Sequence, residues 1–434
     1  MIRWLSLVAF FAVAQVGLTQ NNVLKIDVAP VKFQEANLPL TIPLSVPKAW
    51  AEINEVEIVG QAAVDGRPML VGQLTAPGLV TESIKPTKDG LVRRDLHIIL
   101  PAECRSLEVT FKPSKPRLVR FAWTEKKGEY EELGLTLSGP ITPFLRYMNR
   151  PYDATSKDAR DKSYKVFHHL YDPAGKRFVT NGGHTDENSA DPKRKMLYPH
   201  HRGIMYGFNK CSYGDGLKKK ADTWHCTGDA HVRHEKTLSR EAGPVLGRHR
   251  VVLGWYGEKN ERFAEEEREL TVYNVLGGTL VEFASRLKTT SGKIKVDGDP
   301  QHAGFQFRAH NDVAAVTSNQ TYYLHPDGSK GEMGKERNWP QDKAMVDLPW
   351  YVVSFVLGKE RYSAVYLNHP QNPKETRFSE RSYARFGGYF EREITEQMPL
   401  VVNYRLWLQT GEMTAEQANA LRATFASSPK TVVK

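Results

Sequence analysis

The segment Thr279-Leu-Val-Glu-Phe-Ala-Ser-Arg-Leu-Lys288 carries the pattern that decides the fold class. Its odd-numbered positions from Val281 to Leu287 are mainly apolar, whereas Glu282 and Arg286 stand among the even-numbered positions. Successive side chains of a β-strand point to opposite faces of the sheet. This alternation therefore predicts a half-buried strand of an antiparallel sheet.

Similar strand-like runs surround this segment, with short glycine-containing turns between neighbours. Consecutive strands joined by short turns favour antiparallel pairing, and so a β-sandwich or barrel. Thr414 and Gln417 match a capping box and predict one helix over Ala418–Phe425. The other predicted strands are Leu246–Tyr256, Glu267–Asn274, Tyr351–Leu357, Tyr362–Leu367, Phe386–Glu391 and Leu400–Leu408.

The length of 434 residues predicts more than one domain, because a single core rarely grows beyond about 250–300 residues. Short strands separated by Gly, Pro and Asp predict a small immunoglobulin-like β-sandwich over residues 23–126. The chain becomes polar near residues 126–131, where we place the boundary. A large β-sandwich is predicted over residues 130–428, which makes the protein mainly β.

The first residues have the layout of a secretory signal peptide. Met1-Ile2-Arg3 is positively charged, Leu5–Val13 is apolar, and Ala12-Val13-Ala14 offers a small-residue cleavage site. Cleavage near Gln20 is an alternative, and we take residues 1–20 as the leader. The prediction is a periplasmic or secreted protein. No other run reaches 18 apolar residues, so no stable membrane insertion is expected after cleavage.

The net charge is +10, but basic and acidic residues are interleaved along the chain. The one basic run, Lys218-Lys219-Lys220, is shorter than the stripe typical of nucleic-acid binding. The charge therefore argues against a nucleic-acid partner and mildly favours anionic ligands. Cys211 and Cys226 could form a disulfide in an exported protein, or could be small buried thiols.

The candidate site begins with Tyr198-Pro-His-His-Arg-Gly203. Adjacent residues on an extended chain face opposite ways, so His200 and His201 share a pocket only if the backbone bends, as Pro199 and Gly203 would allow. Arg202 offers a charged fork for carboxylate, phosphate or sugar hydroxyls.

A second motif contains Asp222, Trp224 and His225. The carboxylate of Asp222 could fix the tautomer of His225 and raise its basicity, as general acid–base catalysis requires. Trp224 could stack on a sugar ring or fill the core. His231 and His234 follow, but their spacing matches no zinc-peptidase motif, and we interpret them as structural.

The remaining candidates come from two later segments. His302 joins the acid–base set, and Gln306 and Arg308 share one strand face that could bind a polyhydroxylated ligand. Tyr383 and Arg385 share a face in the same way. The chain has no Walker loop, dinucleotide fingerprint or Gly-x-Ser-x-Gly elbow, which argues against nucleotide cofactors and serine-hydrolase chemistry.

Several of these stretches together resemble a bacterial exported family labelled "methane oxygenase PmoA". The similarity covers roughly residues 133–426, and its His-His-Arg signature is the most specific part. The methane monooxygenase subunit of that name is an integral membrane protein, so methane oxidation is not carried over to this chain. The strand pattern is also similar to the large sandwiches of the galactose-mutarotase-like class. The stretches are Pro143–Tyr147, His169–Gly175, Pro199–Gly203, Asp222–His225, Gly304–Arg308 and Arg381–Phe390.

Three functions follow as hypotheses. The first is an exported carbohydrate-active or carbohydrate-binding protein with epimerase- or lyase-like acid–base chemistry by His201, Asp222, His225 and His302. In that hypothesis a glycan or small molecule binds Arg202, Trp224, Gln306, Arg308, Tyr383 and Arg385. The second is a metal-dependent oxygenase or hydrolase in which His200 or His201, His225 and His302 hold a divalent metal. The third is a non-enzymatic binding module.

Overall fold

The structure is a computed structural model that describes residues 23–29, 38–62, 69–85, 89–101, 104–110, 117–136, 139–183, 193, 195–427 and 431–433. The predicted leader, residues 1–20, lies outside these ranges. The chain divides into two compact units, residues 1–116 with 427–434, and residues 117–426.

The described residues form 27 strands and two α-helices, together with short 3₁₀ and π turns. The helices are α1 (Lys157–Ser163) and α2 (Ala415–Ala426). The strands of the smaller unit are β1 (Val23–Val28), β2 (Leu38–Pro47), β3 (Glu55–Ala62), β4 (Met69–Thr75), β5 (Leu91–Leu100), β6 (Cys104–Thr110) and, at the other end of the chain, β27 (Thr431–Val433).

The larger unit contains the other twenty strands. They are β7 (Arg120–Lys126), β8 (Tyr130–Thr136), β9 (Thr142–Met148), β10 (Phe167–Leu170), β11 (Ile204–Phe208), β12 (Lys210–Tyr213), β13 (Lys219–Ala221), β14 (His231–Ala242), β15 (Leu246–Tyr256), β16 (Arg262–Tyr273), β17 (Thr279–Thr289), β18 (Ile294–Asp297), β19 (Ala303–Arg308), β20 (Tyr322–Leu324), β21 (Trp350–Leu357), β22 (Glu360–Asn368), β23 (Arg377–Arg381), β24 (Arg385–Tyr389), β25 (Arg392–Ile394) and β26 (Leu400–Thr410).

The smaller unit is one antiparallel sheet of seven strands in the order β2-β5-β4-β3-β6-β1-β27. Apolar side chains alternate along β1 to β6, and those on one face of each strand pack in a common core. Ile26, Ile42 and Ile58 are fully or almost fully buried there. The smaller unit is thus made of strands, as expected for residues 23–126, and hydrogen bonding runs through all seven of its described strands.

The larger unit is an antiparallel β-sandwich. One sheet has the order β23-β24-β19-β11-β10-β9-β8-β7, and the other has the order β14-β15-β16-β17-β26-β22-β21-β20. Side chains of both sheets meet in one core, where the ring of Phe305 on β19 stacks on Tyr404 of β26 at 4.5 Å. A four-stranded sheet, β13-β12-β18-β25, completes the unit. The prediction of a mainly β, antiparallel sandwich is confirmed.

Strand β17 lies in the middle of the second sheet, between β16 and β26. Val281, Phe283 and Leu287 are at most 1% exposed, whereas the charged Lys288 is exposed. The predicted face is therefore buried, but Leu280 and Ala284 on the opposite face are buried too, so only the charged positions of that face follow the alternation. Burial of such apolar side chains contributes about 1.5–3 kcal/mol each, which fixes the register against a one-residue slip.

Two boundaries differ from the sequence-based prediction. The polar residues 126–131 form a hairpin turn in which Lys126 of β7 pairs with Tyr130 of β8, and the division between the units falls at residues 116 and 117. The C-terminal end of the larger domain, predicted at residue 428, falls at residue 426, and β27 beyond it pairs Val433 with Ile26 of β1. In the first case the polar residues form a turn instead of a domain linker, because both kinds of segment are rich in polar residues.

The predicted helix at the C-terminus is α2, and its capping box is present. The Thr414 amide donates to Oε1 of Gln417 at 3.0 Å, and the Gln417 amide donates to Oγ1 of Thr414 at 3.2 Å. Helix α1 was not predicted, although Ser156 caps it by accepting a hydrogen bond from the Ala159 amide. Neither helix has the length and apolar character that a membrane crossing would need, and this holds for the described residues.

Candidate functional site

The loop before β11 turns sharply and brings two adjacent histidines together. Tyr198 and Gly203 have positive φ angles of 52° and 49°, and the His201 amide donates to the Tyr198 carbonyl at 3.0 Å. A Cβ atom at Gly203 would collide with the carbonyl oxygen of His168, so glycine is required there. The rings of His200 and His201 consequently lie 4.2 Å apart instead of on opposite faces.

The second wall of the site follows β13. The carboxylate of Asp222 accepts hydrogen bonds from the backbone amides of Trp224 and His225, at 3.0 and 2.8 Å. Its other oxygen lies 2.8 Å from Nδ1 of His225. This turn fixes the His225 ring and leaves its Nε2 atom directed away from the carboxylate.

The third wall precedes β19 and repeats the same arrangement. Nδ1 of His302 lies 3.0 Å from Oδ1 of Asp299, which also accepts from the Gln301 amide at 2.9 Å. Asn209 donates to the second oxygen at 2.7 Å. Although burial raises the pKa of Asp299, the hydrogen bonds from His302, Gln301 and Asn209 lower it well below its usual range. Asp299 is therefore a carboxylate that orients His302.

His200, His225 and His302 converge. One ring nitrogen of each lies within 4.8 Å of the others. We call these three residues the three-histidine cluster. The rings of His225 and His302 are 4.6 Å apart, and their side chains are 29% and 25% exposed. The cluster is thus partly open to solvent, which leaves room for a ligand.

The electrostatics keep His200 neutral. Burial, followed by the positive charge of Lys165, lowers the pKa of His200 to about 2. Its Nε2 atom is buried and forms no hydrogen bond with any described residue. A neutral imidazole with a free nitrogen lone pair is the form that binds a metal ion.

Lys165 is a residue that sequence reasoning missed. Its Nζ atom donates to the backbone carbonyls of His200, at 3.2 Å, and Trp224. Burial lowers its pKa to about 8. Lys165 therefore ties the first wall of the site to the second, and no local motif in the sequence pointed to it.

His201 lies beside the cluster rather than in it. Its ring is 5.5 Å from that of His302 and contacts Trp224 edge-on at 5.7 Å. It is 1% exposed, and neither ring nitrogen has a hydrogen-bond partner in the part of the chain that the structure describes. Burial, followed by His200, Arg385 and Arg308, lowers its pKa well below the usual range, so the ring is neutral.

Three residues that we expected to bind a ligand have other contacts. Arg202 donates to the backbone carbonyls of Pro199 and Asp161 and stacks its guanidinium 4.0 Å from the Tyr164 ring. It therefore shapes the loop and does not face the cluster. The sequence could not predict this role, because it does not show whether an arginine will be buried against backbone carbonyls or exposed to a ligand.

Trp224 and Gln306, which we also expected to bind a ligand, are buried and contact other protein groups instead. Trp224 is 1% exposed and packs in a small apolar cluster with Met148 and Met205. Gln306 is fully buried, donates to the Ala303 carbonyl at 2.9 Å and accepts from Arg385 at 3.0 Å. Both side chains therefore belong to the packing around the site.

Arg308, Tyr383 and Arg385 form a continuous group next to His201. The Arg308 guanidinium lies 4.5 Å from the Tyr383 ring, and that ring lies 6.2 Å from His201. Tyr198, which is 47% exposed, stacks on Tyr383 at 4.7 Å. These residues connect the surface at Tyr198 with the interior beside the cluster.

Two cavities adjoin the site. A cavity of about 290 Å³ is lined by His302, Asp299, Asn338, Trp339 and Gln341. A larger one, of about 910 Å³, begins at Asp222 on the other side. Amide side chains beside an indole ring, as in the first cavity, suit a ligand rich in hydroxyl groups.

His231 and His234, which we interpreted as structural, lie outside the three-histidine cluster and contact tyrosine side chains. His231 lies between the rings of Tyr152 and Tyr256, at 3.7 and 4.6 Å. His234 lies 3.1 Å from the hydroxyl of Tyr147.

The alternative of a disulfide between Cys211 and Cys226 is wrong, because both are free buried thiols. Burial raises the pKa of Cys211 to about 12, so this thiol is protonated and unreactive.

The sequence of the larger unit matches a family model described as "Family of unknown function (DUF6807)" over residues 135–423. The chain belongs to this family. The match covers all of the candidate site residues, from His200 to Arg385, and agrees in extent with the domain that we expected. No curated protein matches the chain.

Two solved structures show a distant likeness. One is a protein in the glycosyl hydrolase family 38 from Enterococcus faecalis, 7% identical with a TM-score of 0.43, matched over 96% of this chain and 47% of that one. The other is an alpha-mannosidase from Enterococcus faecalis V583, 6% identical with a TM-score of 0.38, over 96% and 46%. This chain thus spans about half the length of either structure.

Proposed function

We propose that the protein is a metal-dependent enzyme in which His200, His225 and His302 bind one divalent transition-metal ion. The observation that carries the proposal is the convergence of the three ring nitrogens within 4.8 Å. The chemistry of their surroundings supports it. Metal-binding histidines commonly donate their second ring N–H to a carboxylate, and Asp222 and Asp299 take that position.

Zinc is the ion that this donor set suits best. Three neutral imidazoles with a fourth position open to water or substrate are one of the ligand sets of catalytic zinc sites. The partial exposure of His225 and His302 leaves such a position. A bound zinc ion would polarise an oxygen of the substrate and lower the pKa of a bound water molecule to about 7. The same ligands suit copper or iron, the ions of the oxygenase alternative.

The ligand that we infer is a sugar-like, polyhydroxylated molecule, and the reaction is a proton transfer of the epimerase or lyase type. Asn338, Trp339 and Gln341 line the cavity next to His302. A conventional glycoside hydrolase needs two carboxyl groups for acid–base work. Asp222 and Asp299 each bind a histidine, so neither is free for that role. His201 borders the cluster, and its two ring nitrogens form no hydrogen bond with the described residues, so it is the residue that we propose for the proton transfer.

The metal proposal is tested by elemental analysis of the freshly purified full-length protein. We expect about one zinc, copper or iron ion per chain, and a loss of that ion in His225→Ala and His302→Ala. His369→Gln is the matched control, since this ring packs against Phe425 and is not part of the cluster. A metal content near zero, with no saturable uptake when zinc is added to the metal-free protein, contradicts the proposal. Finding copper or iron in place of zinc would favour the oxygenase alternative.

The substrate class is tested separately. Neutral and acidic sugars are incubated with the metal-loaded protein, and epimers or unsaturated products are followed by NMR. We expect turnover that requires the metal and falls in His201→Gln. From the predicted leader we also infer a periplasmic or secreted location.

A further inference from the structure

Arg308 and Arg385 face each other across two neighbouring strands. They are direct register partners on β19 and β24, so their side chains lie on the same face of the sheet. Both are fully buried. Like charges directly opposite each other destabilise a sheet, and buried charges without a counter-charge cost more still. A fold that keeps these two buried positive charges therefore needs a negative group to compensate for them.

No carboxylate of the described residues does so. Neither guanidinium forms an ion pair with a described acidic side chain. Their neighbour Arg381, which pairs with Arg385 on β23, differs: its Nη1 atom lies 3.5 Å from a carboxylate oxygen of Glu336. Two of the three arginines in this row across the sheet therefore lack a negative partner.

Each guanidinium is held by one nitrogen and leaves the same edge free. Nη1 of Arg308 donates to the carbonyls of Ala309 and Tyr383, at 2.9 and 2.7 Å. Nη1 of Arg385 donates to Ser379, at 2.7 Å, as well as to Gln306 and the Pro300 carbonyl. Nε and Nη2 of both arginines are buried and have no hydrogen-bond partner among the described residues. Nε and Nη2 form the edge that binds a carboxylate or phosphate with two parallel hydrogen bonds.

The pair lies beside the three-histidine cluster. His201 contacts His200 and His302, at 4.2 and 5.5 Å between rings, and Tyr383 lies between Arg308 and His201. Arg385 donates to the carbonyl of Pro300, the residue after Asp299. The arginine pair is therefore linked to the cluster through Tyr383 and His201 on one side and through the Asp299–Pro300 segment on the other.

We propose that Arg308 and Arg385 form an anion-binding site that takes a carboxylate of the ligand handled at the three-histidine cluster. The ligand class is accordingly an acidic sugar or a related hydroxy acid. Its link to catalysis rests on the proposed function, whereas the anion site itself does not require the metal. Neutralising the carboxylate would also acidify the adjacent C–H bond, which suits the proton transfer proposed above.

The test uses the full-length, metal-free protein at constant ionic strength. Glucuronate and galacturonate are compared with glucose and galactose, and with sulfate and phosphate, by calorimetric titration and thermal melting. We expect saturable binding of the uronates and none of the neutral sugars. Each of Arg308→Gln and Arg385→Gln should weaken uronate binding about tenfold or more, since a charged hydrogen bond is lost. Arg405→Gln, a buried arginine paired with Glu282, is the control and should keep the affinity.

The free energy of unfolding of the variants provides a second test, which needs no ligand. Removing one of two unpaired like charges should offset part of the hydrogen bonds that Arg385→Gln loses, so this variant should lose less stability than Arg405→Gln, which leaves Glu282 without its partner. If a variant fails to fold, the comparison of uronates with neutral sugars on the wild-type protein still tests the proposal. Equal binding of both sugar classes, binding of sulfate or phosphate alone, or unchanged affinity in both variants overturns the proposal. Uronate binding by a protein that takes up no metal would support the anion site and refute only the proposed metal function.

Discussion

Oδ2 of Asp222 lies 2.8 Å from Nδ1 of His225, three residues further along the chain. The same spacing and the same pair of atoms recur at Asp299 and His302, at 3.2 Å to Oδ2 and 3.0 Å to Oδ1. Two separate loops therefore share one arrangement, in which a carboxylate holds a histidine ring and one nitrogen of that ring lies within 4.8 Å of a ring nitrogen of each of the other two histidines. This duplication argues for a metal site more strongly than the number of histidines does.

The first prediction concerns these carboxylates. Asp222→Asn keeps an oxygen for the turn but removes the charge that makes His225 a better donor to a metal. We expect zinc affinity to fall about 10- to 100-fold, with a similar effect for Asp299→Asn. Affinity is measured by competition with a chelator of known strength. Asp153→Asn, at an exposed turn before α1, is the control. Wild-type affinity in both site variants would show that the carboxylates have no role in metal binding.

The second prediction concerns the turn that places His200. In Gly203→Ala the new Cβ atom meets the His168 carbonyl, so the loop must move and the cluster opens. Gly128→Ala is the matched control, because it also has a positive φ, of 75°, but its Cβ would meet nothing within 4 Å. The control should lose about 1–2 kcal/mol of stability and retain metal binding. Gly203→Ala should lose more stability and bind metal weakly, as measured by denaturant unfolding and metal titration. Equal losses in the two variants would contradict the role of this turn.

The third prediction is a dependence of stability on pH at Glu131. Burial raises its pKa, but the neighbouring His249 and Arg240, at 3.0 and 2.6 Å, outweigh burial and lower it to about 2. A carboxylate whose pKa is lower in the folded state stabilises the fold above its unfolded pKa, and that stability is lost as the pH falls towards the folded pKa. The window therefore runs from about 4.5 down to about 2.

The contribution of Glu131 is at most about 3 kcal/mol, from the conversion of a pKa shift into free energy. We expect Glu131→Gln to be less stable than the wild type near neutral pH and the difference to shrink through the acid window. Melting temperatures across that range measure it. Glu360→Gln is the control, since this exposed carboxylate should contribute little. A difference that stays constant with pH would rule out the ionic role of Glu131.

Strand content and antiparallel pairing could be predicted from the sequence because they are local. The predicted face of β17 is buried in the folded protein, since each apolar side chain removed from water favours the same register. The capping box of α2 was equally readable, since both partners lie within four residues. The hairpin turn after β7 was misread as a boundary, because polarity alone does not separate a turn from a linker.

The candidate site was only partly readable. The sequence alone provided its residue types, including the alternative triad of His200, His225 and His302, and the pairing of Asp222 with His225. Only the tertiary structure could decide which histidine joins the cluster, because that depends on the positive φ angles at Tyr198 and Gly203. The burial of Lys165 and the unpartnered edges of Arg308 and Arg385 likewise arise from packing between strands distant in sequence. A sequence specifies local periodicity and chemistry, whereas the direction and pairing of a buried side chain are set by neighbours that only the folded chain brings together.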